Sequence, residues 1–491
     1  MKKLVIPLTL LMFVLLLIGF ALLKLTSPHP DDAPPRLDLD LGAATILEPD
    51  DGSPIPRGLS SPTTFTTREG RKGWQVTFPD RRPLATPAVV GGKVFIGAGF
   101  GSHEFYALDA HNGNLLWRYL TKDDGPTAAV VEDGYVAFST ESCELEILTV
   151  DGTRVWKKWL GDPLMSMPAI AGGRVYMAHP DRHGNGHHSL VCFDLKTGAE
   201  HWKKPIAGEV ITAPVLHGGQ VHLATVDGTL YCFGAREGEP LWSENRNATS
   251  SPTVWEGRCY FSRREVVKRK GPGGEPVEQQ TEMLAHRGAG RDNYIVSLES
   301  TTLAADYLDA RKRSGSASLE QYEELDAAVG FAGWDGGKWA AKSNIGQGTV
   351  SGIWAYQGSR PFVMGDRLYS AMGHTLSCVD PRTEKVVWKM EVGPGGTEAV
   401  VDATVSPPAL VNGKVFVGTS GGEVLCLSAD SGKELWRATV GKPIAFQPAV
   451  AGGRVYVASS TGVLFCLETG DPKDDGWLMW GATASHNGLP Q

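Results

Sequence analysis

The chain has 491 residues, 47 Lys and Arg against 55 Asp and Glu, and a formal net charge of −8. An acidic balance without a basic stripe or RNA-binding motif argues against nucleic acid, and it gives no reason to expect adhesion to anionic lipid. Seven cysteines with no Cys-x-x-Cys pair argue against zinc-ribbon and thioredoxin-like readings.

Lys2 and Lys3 precede residues 4–23, a run of 20 without a charge and with one proline, Pro7. That length spans a bilayer core as a helix, and the lysines before it favour an exported remainder. Residues 1–24 are therefore expected to be an uncleaved membrane anchor (signal-anchor), with a cleaved signal peptide as the alternative. No small-x-small cleavage pattern closes the run, and no cysteine stands near it to carry a lipid. Residues 25–70, rich in Pro, Asp, Ser and Thr, read as a flexible tether.

From residue 71 to 491 the chain repeats. Trp74, Trp117, Trp156, Trp202, Trp242, Trp339, Trp388 and Trp436 recur in one frame. Pro87, Pro168, Pro214, Pro252, Pro361, Pro408 and Pro448 form a second column, with Ala129 in the remaining place. A tight turn ends five residues later, at Gly92, Gly134, Gly173, Gly219, Gly257, Asp366, Gly413 and Gly453. A period of roughly 40–47 residues with four short β-branched or aromatic runs per unit marks a β-propeller. The expected fold is all-β: an eight-bladed propeller of four-stranded antiparallel blades, closed by the strand around Trp74 pairing with the last unit. The tryptophans are expected to be structural, filling the wedge between blades. Cys192, Cys232, Cys378, Cys426 and Cys466 share one column of the third strand, with Ala107 in the first unit. Equivalent positions in different blades are too far apart to bridge, so these read as small buried hydrophobes.

The interruptions carry the functional expectations. Loops from strand two to three, and from strand four to the next blade, share one face of a propeller, and most of the extra length falls there. In the third unit, His179, His183, His187 and His188 have a spacing that on a helix would face one metal ion. Pro180, Gly184 and Gly186 oppose a helix and favour a polar loop. In the fifth unit, residues 263–292 read as a charged, Gly-rich loop. Residues 293–299 read as a resumed strand, and 301–338 as a helical insertion with helices over 302–313 and 318–331 on the opposite face. Arg360 is the one charge in the pre-proline column at the central channel. It follows the aromatic loop of Trp354 and Tyr356, which makes these three a candidate anion site; a carboxylate such as Glu398 or Asp402 is the structural alternative partner.

The segment Ala-Asp-Ser-Gly-x-x-x-Trp at 429–436 and its variant Ala-x-Asp-x-x-Asn-Gly-x-x-x-Trp at 107–117 resemble the tryptophan-docking repeat of the PQQ-like propeller family. The resemblance covers about residues 71–480. It implies one of two functions. Quinoprotein dehydrogenases of the family hold PQQ and calcium and typically carry adjacent cysteines, which this chain lacks. Non-catalytic scaffolds, such as the propeller of the outer-membrane barrel-assembly machinery, usually carry a lipidated cysteine; here a hydrophobic anchor takes its place. The expectation is a monomeric, membrane-anchored propeller in the periplasm or extracytoplasmic space, acting without cofactor or catalytic residues as a platform for other envelope proteins. A small-ligand sensor and a PQQ-dependent oxidoreductase are the alternatives.

Overall fold

The computed structural model describes residues 45–47, 58–161, 166–180, 188–208, 210–270, 276–288, 299–303, 361–372, 375–392 and 405–487. Their strands sort into eight sheets, each with a four-stranded antiparallel core. Blades 1 to 8 start at the innermost strands Ala88–Val90, Val130–Glu132, Ala169–Ala171, Val215–His217, Thr253–Trp255, Pro361–Met364, Ala409–Val411 and Ala449–Ala451. Blade 7 is typical: Ala409–Val411, Lys414–Gly418, Glu423–Ser428 and Glu434–Thr439 pair in sequence order. Its first hairpin turns at Asn412 and Gly413, with φ of 50° and 68°. Two successive positive φ values match the right-handed twist of the flanking strands, which is why Asn-Gly sits there.

The ring closes as the repeat frame requires. Lys72–Thr77 pairs antiparallel with Val463–Glu468 and becomes the fourth strand of blade 8, with Trp74 opposite Cys466. The expected tether over 25–70 gives way, in part, to sheet. Thr63–Thr66 pairs with Lys72–Thr77 as a fifth strand, and Thr45–Leu47 runs parallel to Leu115–Leu120 on blade 1. An outer strand presents unpaired backbone groups, so even a polar Thr-rich segment gains hydrogen bonds there. The anchor expected at 1–24, and residues 25–44 and 48–57 of the expected tether, lie outside the described residues. Among the described residues no helix is long and apolar enough to cross a membrane.

Among the described residues, tryptophans of the column dock one blade onto the next. The Nε1–H groups of Trp117, Trp156, Trp202 and Trp388 donate to the carbonyls of Val150, Leu195, Ala235 and Ala429, at 3.1, 2.9, 3.1 and 2.7 Å. Each indole also lies against a glycine of that neighbouring blade: Gly152, Gly198, Gly238 and Gly432. Trp74 covers Gly113 of blade 1 and so docks across the closure. Arg287 stacks on Trp242 at 3.8 Å and Arg71 on Trp436 at 4.0 Å, supplying a cation over the ring in blades 4 and 7. Trp339 lies outside the described residues. The cysteine column is the cross-strand partner of the tryptophans, as in Cys192 opposite Trp202 and Cys426 opposite Trp436, with a bulge immediately after the pair. The bulge skips one residue of the outer strand and re-aims the strand end toward the docking turn. All seven thiols are buried and unbridged.

Blade 5 departs from expectation. The charged run expected as a loop is a hairpin: Arg258–Lys270 pairs with Pro276–Arg287 over 12 successive positions, from Cys259 opposite Arg287 to Lys270 opposite Pro276. The register sets Arg264 opposite Glu282 and Lys268 opposite Glu278, so charges that read as a solvated run are cross-strand complements. Because this hairpin supplies strands two and three, Glu299–Leu303 is the fourth strand. The strand expected over 293–299 is thereby displaced, and Thr302 and Leu303, expected to open a helix, are in a strand. The residues after Leu303 thus follow strand four in the chain, rather than falling between strands three and four as expected. The helices expected at 302–313 and 318–331 otherwise lie outside the described residues.

Candidate functional site

The face of the two-to-three loops carries two built extensions. In blade 3, Arg174–Pro180 and His188–Asp194 pair over seven positions, ending with His179 opposite Ser189 and Pro180 opposite His188. Directly opposed residues point to the same side of a sheet and successive ones to opposite sides. His179 and His188 therefore face opposite sides, and both are buried. The Nδ1 of His179 lies 2.7 Å from the Pro180 carbonyl. His183 and His187 lie outside the described residues. The two placed histidines are thus not one face of a helix, and among the described residues no His, Cys, Asp and Glu grouping could hold a metal ion.

The blade 5 hairpin is the second extension. Regular blades pair strands two and three over about five positions, as in Lys414–Gly418. The hairpin adds seven or so more pairs, about 25 Å of projecting ribbon at the rise of an antiparallel strand. Its sequence signal was present but outweighed by charge: Val266 and Val267 are β-branched, and Gly271-Pro272-Gly273-Gly274 is turn chemistry.

At the hub, the pre-proline column places Thr86, Ala128, Met167, Ala213, Ser251 and Gln447 around the axis, all buried. Ala85, Phe100, Ala128, Met167, Ala213, Phe446 and Trp480 form one apolar cluster there. Gln447 donates from Nε2 to the Pro408 carbonyl at 2.6 Å, and its Oε1 accepts from the Gly481 N–H at 3.0 Å. Thr86 Oγ1 has no hydrogen-bond partner. Arg360, Trp354, Tyr356, Glu398 and Asp402 lie outside the described residues, so the candidate anion site has no geometry here. Trp480, which falls outside the tryptophan frame, was missed by sequence reasoning. The described hub residues are carbon-rich.

Two buried carboxylates were also not legible. Glu104 is held by Arg118 Nη1 at 3.1 Å and by the Tyr106 hydroxyl at 2.7 Å. Burial nevertheless pushes its carboxyl up. Glu146 of blade 2 accepts a hydrogen bond from Tyr119 Oη of blade 1 at 2.9 Å, and Lys157 Nζ stands 4.0 Å from its other oxygen. Burial, with the Glu144 charge nearby, raises it to about 7. Both lie within or between blades 1 and 2 on the third strands, and they hold no shared reacting position with the hub column.

The family model described as "Outer membrane protein assembly factor BamB" matches residues 63–157, 146–345 and 372–488. A curated relative, the outer membrane protein assembly factor BamB of Yersinia pestis, is 25% identical over 246 residues, covering 44% of this chain and 61% of that protein. The alignment thus spans less than two thirds of the relative. Among solved structures, the computationally designed Ika8 protein superposes with a TM-score of 0.54 at 11% identity, covering 80% of this chain and 98% of that one. The quinohemoprotein alcohol dehydrogenase ADHIIG of Pseudomonas putida HK5 gives 0.51 at 14% identity, over 81% of this chain and 76% of that one. At such identities these two likenesses show the fold alone. With the repeat frame, the eight blades and a family match over most of its length, the chain belongs to the PQQ-like propeller family described as outer membrane protein assembly factor BamB.

Proposed function

We propose that this propeller is a membrane-anchored, extracytoplasmic, non-enzymatic platform that binds other envelope proteins during the assembly of outer-membrane proteins. Family membership and the printed role of the Yersinia pestis relative support the pathway. Residues 4–23 support the anchor. The observation that carries the platform reading is the packed hub. Apolar side chains fill the described axis around Trp480, while the long-loop face carries a ribbon of 12 residue pairs. A rigid ring bearing one adaptable face suits protein recognition.

The test is affinity capture of the detergent-solubilised protein, followed by identification of bound chains. Co-purification of outer-membrane assembly proteins is expected, and shortening the hairpin by residues 264–281 should weaken it without unfolding the ring. A reporter fused after Gln491 should be active outside the cytoplasm. Robust substrate-dependent dye reduction after reconstitution with PQQ and calcium, abolished by EDTA, would overturn the platform reading in favour of an oxidoreductase.

A further inference from the structure

The outer closure by Lys72–Thr77 has an inner counterpart. After its third strand, blade 8 continues into residues 471–487, and this segment touches all eight blades. It is fixed first on blade 7. Lys414 Nζ donates to Asp471 Oδ2 and Asp474 Oδ1, both at 2.8 Å, and Asn412 Nδ2 donates to the same two carboxylates at 3.0 and 2.9 Å. Asp474 is fully buried, so the lysine and the amide are what make its charge tolerable. On blade 8, the Gly453 N–H donates to the Asp474 carbonyl at 2.9 Å, and Val450 exchanges two backbone bonds with Trp477, at 2.6 and 3.1 Å. The Trp477 ring meets Phe362 of blade 6 edge-on at 5.1 Å.

The segment then follows the inner rim. The Val89 N–H of blade 1 donates to the Leu478 carbonyl at 2.7 Å, and the Val131 N–H of blade 2 points at Met479 Sδ at 3.5 Å. The Ile170 N–H of blade 3 and the Leu216 N–H of blade 4 donate to the Ala484 and Ser485 carbonyls, both at 2.9 Å. Thr253 Oγ1 of blade 5 reaches the Asn487 carbonyl at 3.5 Å. The backbone donors of blades 1 to 4 are the middle residues of three-residue innermost strands, whose inner edge has no further strand to pair with. An unpaired buried N–H is costly, and the segment supplies the acceptors.

Its own shape is set for this path. Gly481 has φ of 73°, and a Cβ there would stand 2.6 Å from the His486 Cα. His486 bridges the turn, its two ring nitrogens 2.8 Å from the Trp480 and Pro168 carbonyls. Its ring stands edge-on to Trp480 with centroids 3.8 Å apart. Trp480 is carried by this turn into the hub cluster of Ala128, Met167, Ala213 and Phe446.

We infer that residues 471–487 form an inner clasp, which locks the ring at its axis and fills the hub with Trp480.

Backbone hydrogen exchange on the intact protein tests this. The amides of Val89, Ile170, Leu216 and Val450 are expected to be protected to the level of the central strands. Trp480→Ala, which leaves both outer closure strands intact, should speed exchange at Val89, Ile170 and Leu216 by about tenfold or more, with Val424 and Leu425 in a central strand unchanged. If the four amides of the intact protein exchange as fast as those of the exposed turn residues Gly91, Gly172 and Gly218, the clasp is refuted, whether or not the variant folds. Unchanged exchange in a folded Trp480→Ala protein refutes it as well.

Discussion

Gly432→Ala, compared with Gly413→Ala, isolates the energy of tryptophan docking. The two glycines have nearly the same backbone, φ of 67° and 68°, both in blade 7 turns. A side chain in the left-handed region costs roughly 1–2 kcal/mol at either site. At Gly413 a Cβ meets nothing within 4 Å, so the cost stops there. At Gly432 the Cβ would stand 2.6 Å from Trp388 Cε3 and 2.7 Å from Cδ2. The indole must move, which strains or breaks its 2.7 Å bond to Ala429. A lost hydrogen bond of about 1 kcal/mol and overpacking of about 1–3 kcal/mol then add to the strain. Gly432→Ala should therefore lose about 2–4 kcal/mol more than Gly413→Ala in denaturant unfolding at fixed pH, followed by tryptophan fluorescence. Equal losses would show that the indole does not bear on the glycine, and the docking account of blade assembly would fail.

Glu146 gives a pH prediction with a definite sign. Its carboxyl is raised from 4.5 to about 7 by burial, so the folded state holds the proton more tightly than the unfolded state. Stability is then full below about 4.5 and is lost as pH rises to about 7, by at most about 1.4 kcal/mol per pH unit. Glu146→Gln should flatten that limb and be the more stable protein at pH 8; an unchanged profile in urea titrations would count against it. The thiols should be inert in the native protein, since burial pushes Cys232, Cys259, Cys426 and Cys466 up to about 12 and Cys192 and Cys378 to about 11. Mass spectrometry after iodoacetamide should show no adduct on the folded protein at pH 8 and seven on the unfolded chain; a pair resistant to labelling after unfolding would reveal a disulfide. Deleting residues 71–80 removes the strand that closes the ring, whereas deleting 25–60 leaves that strand in place and removes, among the described residues, the added outer strand Thr45–Leu47, buried Leu59 and the hydrogen bonds of Ser60 to Thr77. The first should lower the melting temperature far more, and equal shifts would contradict closure at Lys72–Thr77.

The sequence by itself determined the blades. Trp436, Gly432 and Asn412-Gly413 each meet a local demand, an indole for the wedge, a turn without a Cβ beneath it and a positive φ, and these demands recur in each unit. Local rules repeated at a fixed period are legible because each copy confirms the others. The cysteine column was legible for the same reason, as the cross-strand partner of the tryptophans. What the tertiary structure alone decided was whatever occurs once. In the charge-rich 258–287 hairpin the register sets Arg264 opposite Glu282 and Lys268 opposite Glu278 across a turn, a relation invisible along the chain. Glu146 reads as a surface residue until the blade 1 strand bearing Tyr119 covers it. Trp477, Trp480 and His486 lie beyond the last repeat and follow no period. Their role follows only from the unpaired inner edges that eight blades present to a common axis, and those edges exist only once the ring has formed.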